Sequence, residues 1–386
     1  MRLHLILPRV EPTNVEVPAR CPTCGGKHLR LHQGVDKPLR DTVHSRVQAY
    51  RYQCLKCNHT HRVYPEGVSR SHTSKRVKGL AVLLYLLGLS YGAVSLTLDA
   101  LGVYLCKSRV YDTVQEAARR VPGMKREAIF TEVRAPALGA DVTSVKCSGR
   151  WLHLGFTVDD TTGLVLTLDG LTGEDAQTLE AWIAPIVAEL GVELLVTDDA
   201  DSFKKVADNQ GLMHQVCKSH VKRNTDALIE NLKPIAAADR DGSLAAIGVS
   251  PEQAVADLER LGELIRSRQP HQENELSEMH ERYVRAMPPR DNGQASVAYR
   301  LRLLFLDRWT LWRRLTRYRT WQGPDGETID GTNNNTERAI GWWVKERYRT
   351  MRGYKRPESA VNVSRLLAWC GNHLNTGGAN LDPLIA

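Results

Sequence analysis

The chain lacks any apolar run long enough to span a bilayer. Its longest, Leu80 to Leu87, falls well short of the roughly 20 residues a spanning helix needs. The first residues, MRLHLILPRVEP, hold a short apolar stretch and no small-residue cleavage site, which argues against a signal peptide. A cytoplasmic location is therefore expected. Cysteine is sparse, with 8 in 386 residues, so no disulfide scaffold is expected. Internal repeats are absent as well, which excludes solenoid architectures. What remains is the composition of a globular protein, 42% hydrophobic and 25% charged, in a chain long enough for two or three domains.

Charge is plentiful but unevenly placed. Residues 1–130 carry 21 Lys+Arg against 9 Asp+Glu, residues 131–295 carry 16 against 27, and residues 296–356 carry 14 against 6. Two basic blocks around an acidic middle motivate a polyanionic partner, though solvated faces explain charge alone equally well.

The cysteines that do cluster form two C-x-x-C pairs, Cys21/Cys24 and Cys54/Cys57. Four thiolates on two knuckles suit one tetrahedral zinc ion, and a small module with little core needs such an ion to fold. Between the knuckles, segments such as Ala49–Gln53 alternate like strands, and His59 and His61, just beyond the second pair, read as neighbours of the site or as DNA-facing, not as ligands. A zinc ribbon is expected over 1–70. Over 71–130 the pattern becomes helical. Ser74 can cap Lys75–Leu87, Gly88 can end it, a second helix runs from Ser90 to Gly102, and a third from Lys107 to Arg120. A short helix, a glycine turn and a helix with a polar, basic start form the helix-turn-helix pattern. That motif aims the start of its last helix at bases and phosphates, so Lys107, Ser108, Arg109 and Tyr111 are the DNA-facing candidates.

From Ala140 the periodicity changes to strands: Gly139–Val145, Trp151–Val158 and Leu164–Leu168. A helix from about Glu174 to Leu190 stops at Gly191. The buried strand Val192–Thr197 follows, then a helix near Phe203–Asn209 and a strand at Leu212–Val216. Three hairpin strands, helix, strand, helix and strand resemble a ribonuclease-H-like core. Residues 226–325 read as an all-α insertion, 131–225 and 326–376 as the two parts of the core, and the tail from Gly377 as frayed. Asp159 and Asp160 open a turn with Thr161-Thr-Gly163, and Asp201 reads as a helix cap.

Asp141 lies on the first of these strands, Asp198 at the end of the fourth, and Glu337 near the start of a late helix expected around Thr336. Carboxylates so gathered can hold two hard divalent ions, which activate the attacking oxygen and stabilise the leaving oxygen in phosphoryl transfer. Asp199 competes with Asp198, since the two point apart on a strand. The residues alone leave that choice open.

The order of these residues resembles bacterial insertion-sequence transposases of the DDE class, related to the Mutator-like group, over almost the whole chain. Thr197-Asp198-Asp199-Ala-Asp201 resembles the second-aspartate turn of that class, in which the aspartate directly follows the apolar strand, so Asp198 is preferred to Asp199. Cys217-Lys-Ser-His220 resembles the C-x-x-H signature that follows it, and Thr332-Asn-Asn-Asn-Thr-Glu337-Arg the stretch with the final glutamate. The resemblance implies a DNA transposase that binds element ends, cleaves them and joins 3′ ends to target DNA. It would use two Mg²⁺ or Mn²⁺ ions at Asp141, Asp198 and Glu337, with one structural Zn²⁺ at the cysteines. It further implies a homodimer on double-stranded DNA in a bacterial nucleoid, with no membrane partner. After Glu337 the chain is basic and aromatic. Arg338, Trp342, Lys345, Arg349 and Arg352 are candidates for holding phosphates and stacking on an unpaired base. Of Trp342 and Trp343, adjacent on a helix, one is expected to be buried. Cys217 and His220 read as packing or DNA contacts, because two ligands do not make a metal site. A metal-dependent nuclease of the same fold, or a DNA-binding regulator with an idle core, are the rival readings.

Overall fold

The computed structural model describes residues 5–121, 134–289, 293–349, 354–373 and 379–385. Strand β1 (Leu5–Ile6) is followed by an antiparallel sheet, β2 (Leu29–Pro38), β3 (Arg46–Cys54) and β4 (Thr60–Val63), paired in chain order. Among the described residues, Val10, Leu39, Val47 and Val68 form its buried apolar cluster, a core too small to hold a module without help.

Helix α1 (Lys75–Leu86) starts where Ser74 Oγ accepts the Val77 N–H at 3.1 Å, and α2 (Tyr91–Ala100) starts likewise at Ser90. Such caps satisfy N–H groups that a first turn leaves free. Gly88 and Gly102, at φ +105° and +76°, let the chain leave each helix in a backbone region that side chains disfavour. Helix α3 (Lys107–Arg120) packs against both.

Strands β5 (Ala137–Cys147), β6 (Arg150–Asp159) and β7 (Val165–Leu171) form an antiparallel meander. Helix α4 (Ala176–Leu190), capped by Asp175, ends at Gly191 and leads to β8 (Leu194–Thr197). Helix α5 (Asp201–Asn209) then leads to β9 (Met213–Val216). The sheet order is β7-β6-β5-β8-β9, with β8 and β9 parallel to β5. Alternation divides the faces. Leu138, Ala140 and Leu195 pack with α4 and α5 on one side. Val145, Phe156 and Leu168 pack on the other with α1 to α3 and the later helices.

Helix α6 (Lys218–Ala238) carries the chain out of the sheet into α7 (Ser243–Ala246), α8 (Pro251–Arg266), α9 (Glu273–Tyr283) and α10 (Val297–Leu315). These helices have their own core, centred on Leu258, Leu261, Tyr283, Leu301 and Phe305. The chain returns through α11 (Asn334–Ile340), a π-helical turn at Gly341–Lys345, α12 (Glu346–Arg349) and α13 (Pro357–Asn372), ending in β10 (Ala379–Asn380).

Two local expectations fail. The tail is not frayed over residues 379–385. Strand β10 pairs with β1, and Leu381, Leu384 and Ile385 are buried in the core shared by sheet and helices. Apolar side chains with a site to bury in overrode the weak local signal. Nor is Asp201 a cap: it opens α5, whose cap position is Ala200, and its carboxylate instead meets Lys204 at 3.0 Å.

Candidate active site and metal centres

The parallel pairing of β5 and β8 sets Gly139 opposite Val196. Asp141 lies two residues further along β5, and Asp198 directly follows β8, near enough for its charge to act on Asp141. Helix α11 crosses this face over β5 and β6. It comes so close because residue 139 is glycine: a Cβ there would collide with Thr336 Oγ1. Thr336 immediately precedes Glu337, so the tight contact also fixes where that carboxylate starts.

Asp141 senses both neighbours. Burial, then the charges of Asp198 and Glu337, push its carboxyl up to about 7, against the Val142 N–H and the Lys345 ammonium. Like charges gathered in a partly desolvated place disfavour ionisation until a cation arrives. Asp198 Oδ1 accepts the Ala200 N–H at 3.1 Å, whereas Asp199 pairs with Lys204 at 2.8 Å.

Cys217 and His220 lie at the junction of β9 and α6. The Cys217 N–H donates to Thr197 O at 2.7 Å, tying this junction to the end of β8. Its buried sulfur accepts the Asn333 N–H at 3.2 Å. His220 Nδ1 stands 3.6 Å from Glu337 Oε1. Ligand atoms of Cys217, His220 and Glu337 all lie within 4.8 Å of one another.

A second acidic place adjoins the first. Asp159 closes the turn as expected, accepting from Thr161 and Thr162. Asp160 does more than open a turn. It is buried, and Asn335 Nδ2 donates to its backbone oxygen at 2.7 Å and to Oδ1 at 3.3 Å. Burial and then the Asp330 charge push its carboxyl to about 7. The turn sequence hides this role, because the partner Asn335 is 175 residues away. Gly139, by contrast, leaves a readable trace, since a glycine inside a strand often marks close backbone approach.

The four cysteines of the N-terminal module bring their sulfurs within 4.8 Å of one another. Each knuckle closes at a left-handed residue four positions after its first cysteine, Gly25 at φ +69° and Asn58 at φ +57°. The Cys57 and Lys56 N–H groups outweigh burial to bring Cys54 down to about 6. Burial raises Cys21, but the Cys24 and Thr23 N–H groups and His61 bring it to about 7. The His59 N–H lowers Cys57, yet burial and the neighbouring thiols drive it up to about 12. Four such sulfurs cannot all ionise without a cation between them, so the donor set fits a structural zinc ion. His61 Nε2 stands 3.2 Å from Cys21 Sγ, beside the cluster.

A family model described as Transposase IS66 family matches residues 77–356. The chain belongs to that family. The match to these DDE-type transposases begins inside α1 and ends just before α13, so it takes in the sheet, the helical insertion and α11. The cysteine module precedes it. Among curated proteins, none matches the chain. Membership makes the chain a DNA-cleaving and DNA-transferring enzyme that binds DNA and uses divalent metal ions. No helix among the described residues is long and apolar enough to cross a membrane.

In this transposase, Lys107, Ser108 and Arg109 are exposed at the start of α3. Tyr111 is half-buried. Its ring meets Tyr91 edge-on and its hydroxyl lies 2.8 Å from Ser359 Oγ, so much of it faces α2 and α13. Arg338 and Lys345 are exposed, and the Lys345 charge acts on Asp141. Arg352, and the side chains of Trp342, Trp343 and Arg349, lie outside what is described.

Proposed function

We propose that this transposase binds insertion-sequence ends, cleaves them and joins the 3′ ends to target DNA. Asp141, Asp198 and Glu337 would hold two Mg²⁺ or Mn²⁺ ions. The single observation that supports this reading is the charge of Asp198 and of Glu337 acting on Asp141, where β5 pairs with β8 and α11 packs over β5 and β6. An antiparallel trio of strands joined to a parallel pair supports a ribonuclease-H-like core at 131–225 and 326–376, split by the insertion at 226–325. The sulfur cluster supports a zinc ribbon at 1–70, and three packed helices, the first two capped by Ser74 and Ser90, support a helix-turn-helix domain at 71–130. The C-x-x-H spacing of Cys217 and His220 supports kinship with the Mutator-like group.

Bound divalent ions supply the positive charge that activates the attacking oxygen and stabilises the leaving one. The protein's own residues prepare that place. Asp141 would hold the ions as a carboxylate, and their charge would offset the burial and the neighbouring acids that raise its proton affinity. The Gly139–Thr336 contact holds α11, and with it Glu337, against the sheet. Arg338 and Lys345 neutralise phosphates next to the cut. Lys107, Ser108 and Arg109 read the element end, and one chain per end implies a dimer on DNA.

The test is strand transfer of a pre-cut end oligonucleotide into plasmid DNA with Mg²⁺ or Mn²⁺. Joined product is expected from the wild type. Glu337→Gln should abolish cleavage and joining while end binding persists. Cleavage by the wild type without joining would favour a nuclease of the same fold, and binding without cleavage a regulator. Near-normal rates in Glu337→Gln would remove that residue from the site.

A further inference from the structure

We propose that Cys217, His220 and Glu337 form a separate binding site for a thiophilic divalent cation such as zinc, and that its occupation withdraws Glu337 from the catalytic pair. The regulatory half of this proposal rests on the catalytic reading of Glu337; the binding half does not.

From the sequence, Cys217 and His220 offer two ligands, too few for a site. The fold supplies a third from 117 residues further on, by laying the start of α11 against the start of α6. One sulfur, one imidazole nitrogen and one carboxylate oxygen then lie within 4.8 Å of one another, a spread that a single ion at their centre can bridge. Among the described residues, His220 Nδ1 is buried and has no hydrogen-bond partner, and Glu337 Oε1 stands 3.6 Å away, beyond hydrogen-bond reach. A ligated ion would satisfy that nitrogen. The sulfur is already held in place by the Asn333 N–H.

The chemistry of the three donors separates this site from the carboxylates beside it. Magnesium prefers oxygen ligands in an octahedral shell. A thiolate–imidazole–carboxylate set instead favours zinc, cobalt(II) or cadmium, and three protein ligands leave the fourth position open to water. The two sites compete because Glu337 belongs to both. An ion held by Cys217 and His220 draws Glu337 away from Asp141 and Asp198, and the catalytic pair loses one of its three carboxylates. Magnesium alone does not engage the sulfur and leaves Glu337 free for catalysis.

The test uses the full chain with one zinc ion in the four-cysteine cluster, titrated with Co²⁺. A new thiolate-to-cobalt charge-transfer band is expected, saturating at one equivalent per chain. Cys217→Ser and His220→Ala should each remove it without changing the zinc content, and Glu337→Gln should weaken it. Because Cys217 is buried, circular dichroism checks that variant's fold, and the exposed-side His220→Ala carries the test if it fails. No band in the wild type, or a band unchanged in His220→Ala or Glu337→Gln, would overturn the site. Micromolar zinc should then slow Mg²⁺-dependent strand transfer in the wild type, with recovery on chelation by a weak chelator. A normal cobalt band without zinc inhibition would overturn the withdrawal of Glu337 and leave the binding site standing; no strand transfer in any condition would instead count against the catalytic reading.

Discussion

At the scale of single residues, the carboxylates of this transposase are held in a state that opposes folding. Asp141 and Asp160 both sit near 7, against an ordinary value of 3.8. A carboxyl whose folded value is raised binds its proton more tightly in the folded chain than in the unfolded one. The stability it contributes is complete below about pH 4 and disappears as pH rises through 7. Without magnesium, the protein should therefore lose stability between pH 4 and pH 8. Asp141→Asn should flatten that slope and stabilise the metal-free protein at pH 8 by about 2–4 kcal/mol. Urea midpoints across the pH range measure it. An equal slope in the variant would mean Asp141 is not the strained group.

At the scale of elements, the decisive contact is α11 on β5. Gly139 and Thr336 meet so closely that any side chain at 139 must displace the Thr336 hydroxyl under the helix. Gly139→Ala should cost about 1–3 kcal/mol through overpacking. Its effect on catalysis should be larger, about 100-fold, because a displacement of the order of 1 Å at a reacting centre costs that much. Thermal melting and strand-transfer rates separate the two, and loss of stability without loss of rate would refute the positioning role. The same logic applies to β2, β3 and β4, which enclose few apolar residues. Cys54→Ser should release zinc, broaden the amide spectrum of residues 1–70 and weaken end binding, with the melting of the sheet domain unchanged. Normal end affinity in that variant would exclude the module as a DNA reader.

Across the whole molecule, the two ends of the chain close on one core. Strand β1 pairs with β10, and Leu381 and Leu384 are buried among helices and sheet residues from the middle of the chain. Leu384→Ala should destabilise the domain by about 2–5 kcal/mol, as deletion of a buried leucine does elsewhere. Chemical denaturation provides the check. A change below 1 kcal/mol, the order expected at an exposed position, would mean the tail does not belong to the core.

What the sequence determined by itself was local. Cysteine spacing named the zinc knuckles, serine caps and glycine stops named α1 and α2, a place on the first strand named Asp141, and the end of an apolar run named Asp198. These signals travel only a few residues, so they survive reading along one dimension. Only the tertiary structure decided what depends on distant partners. The charge of Asp198 acts on Asp141, while Asp199 pairs with Lys204. Packing of α11 at Gly139 brought Glu337 to Asp141, and Asn335 to Asp160, across more than 170 residues. It also turned Cys217 and His220 from a pair into a trio with Glu337. Register and close packing arise between segments, and no periodicity within either segment encodes which residue of the other it will meet.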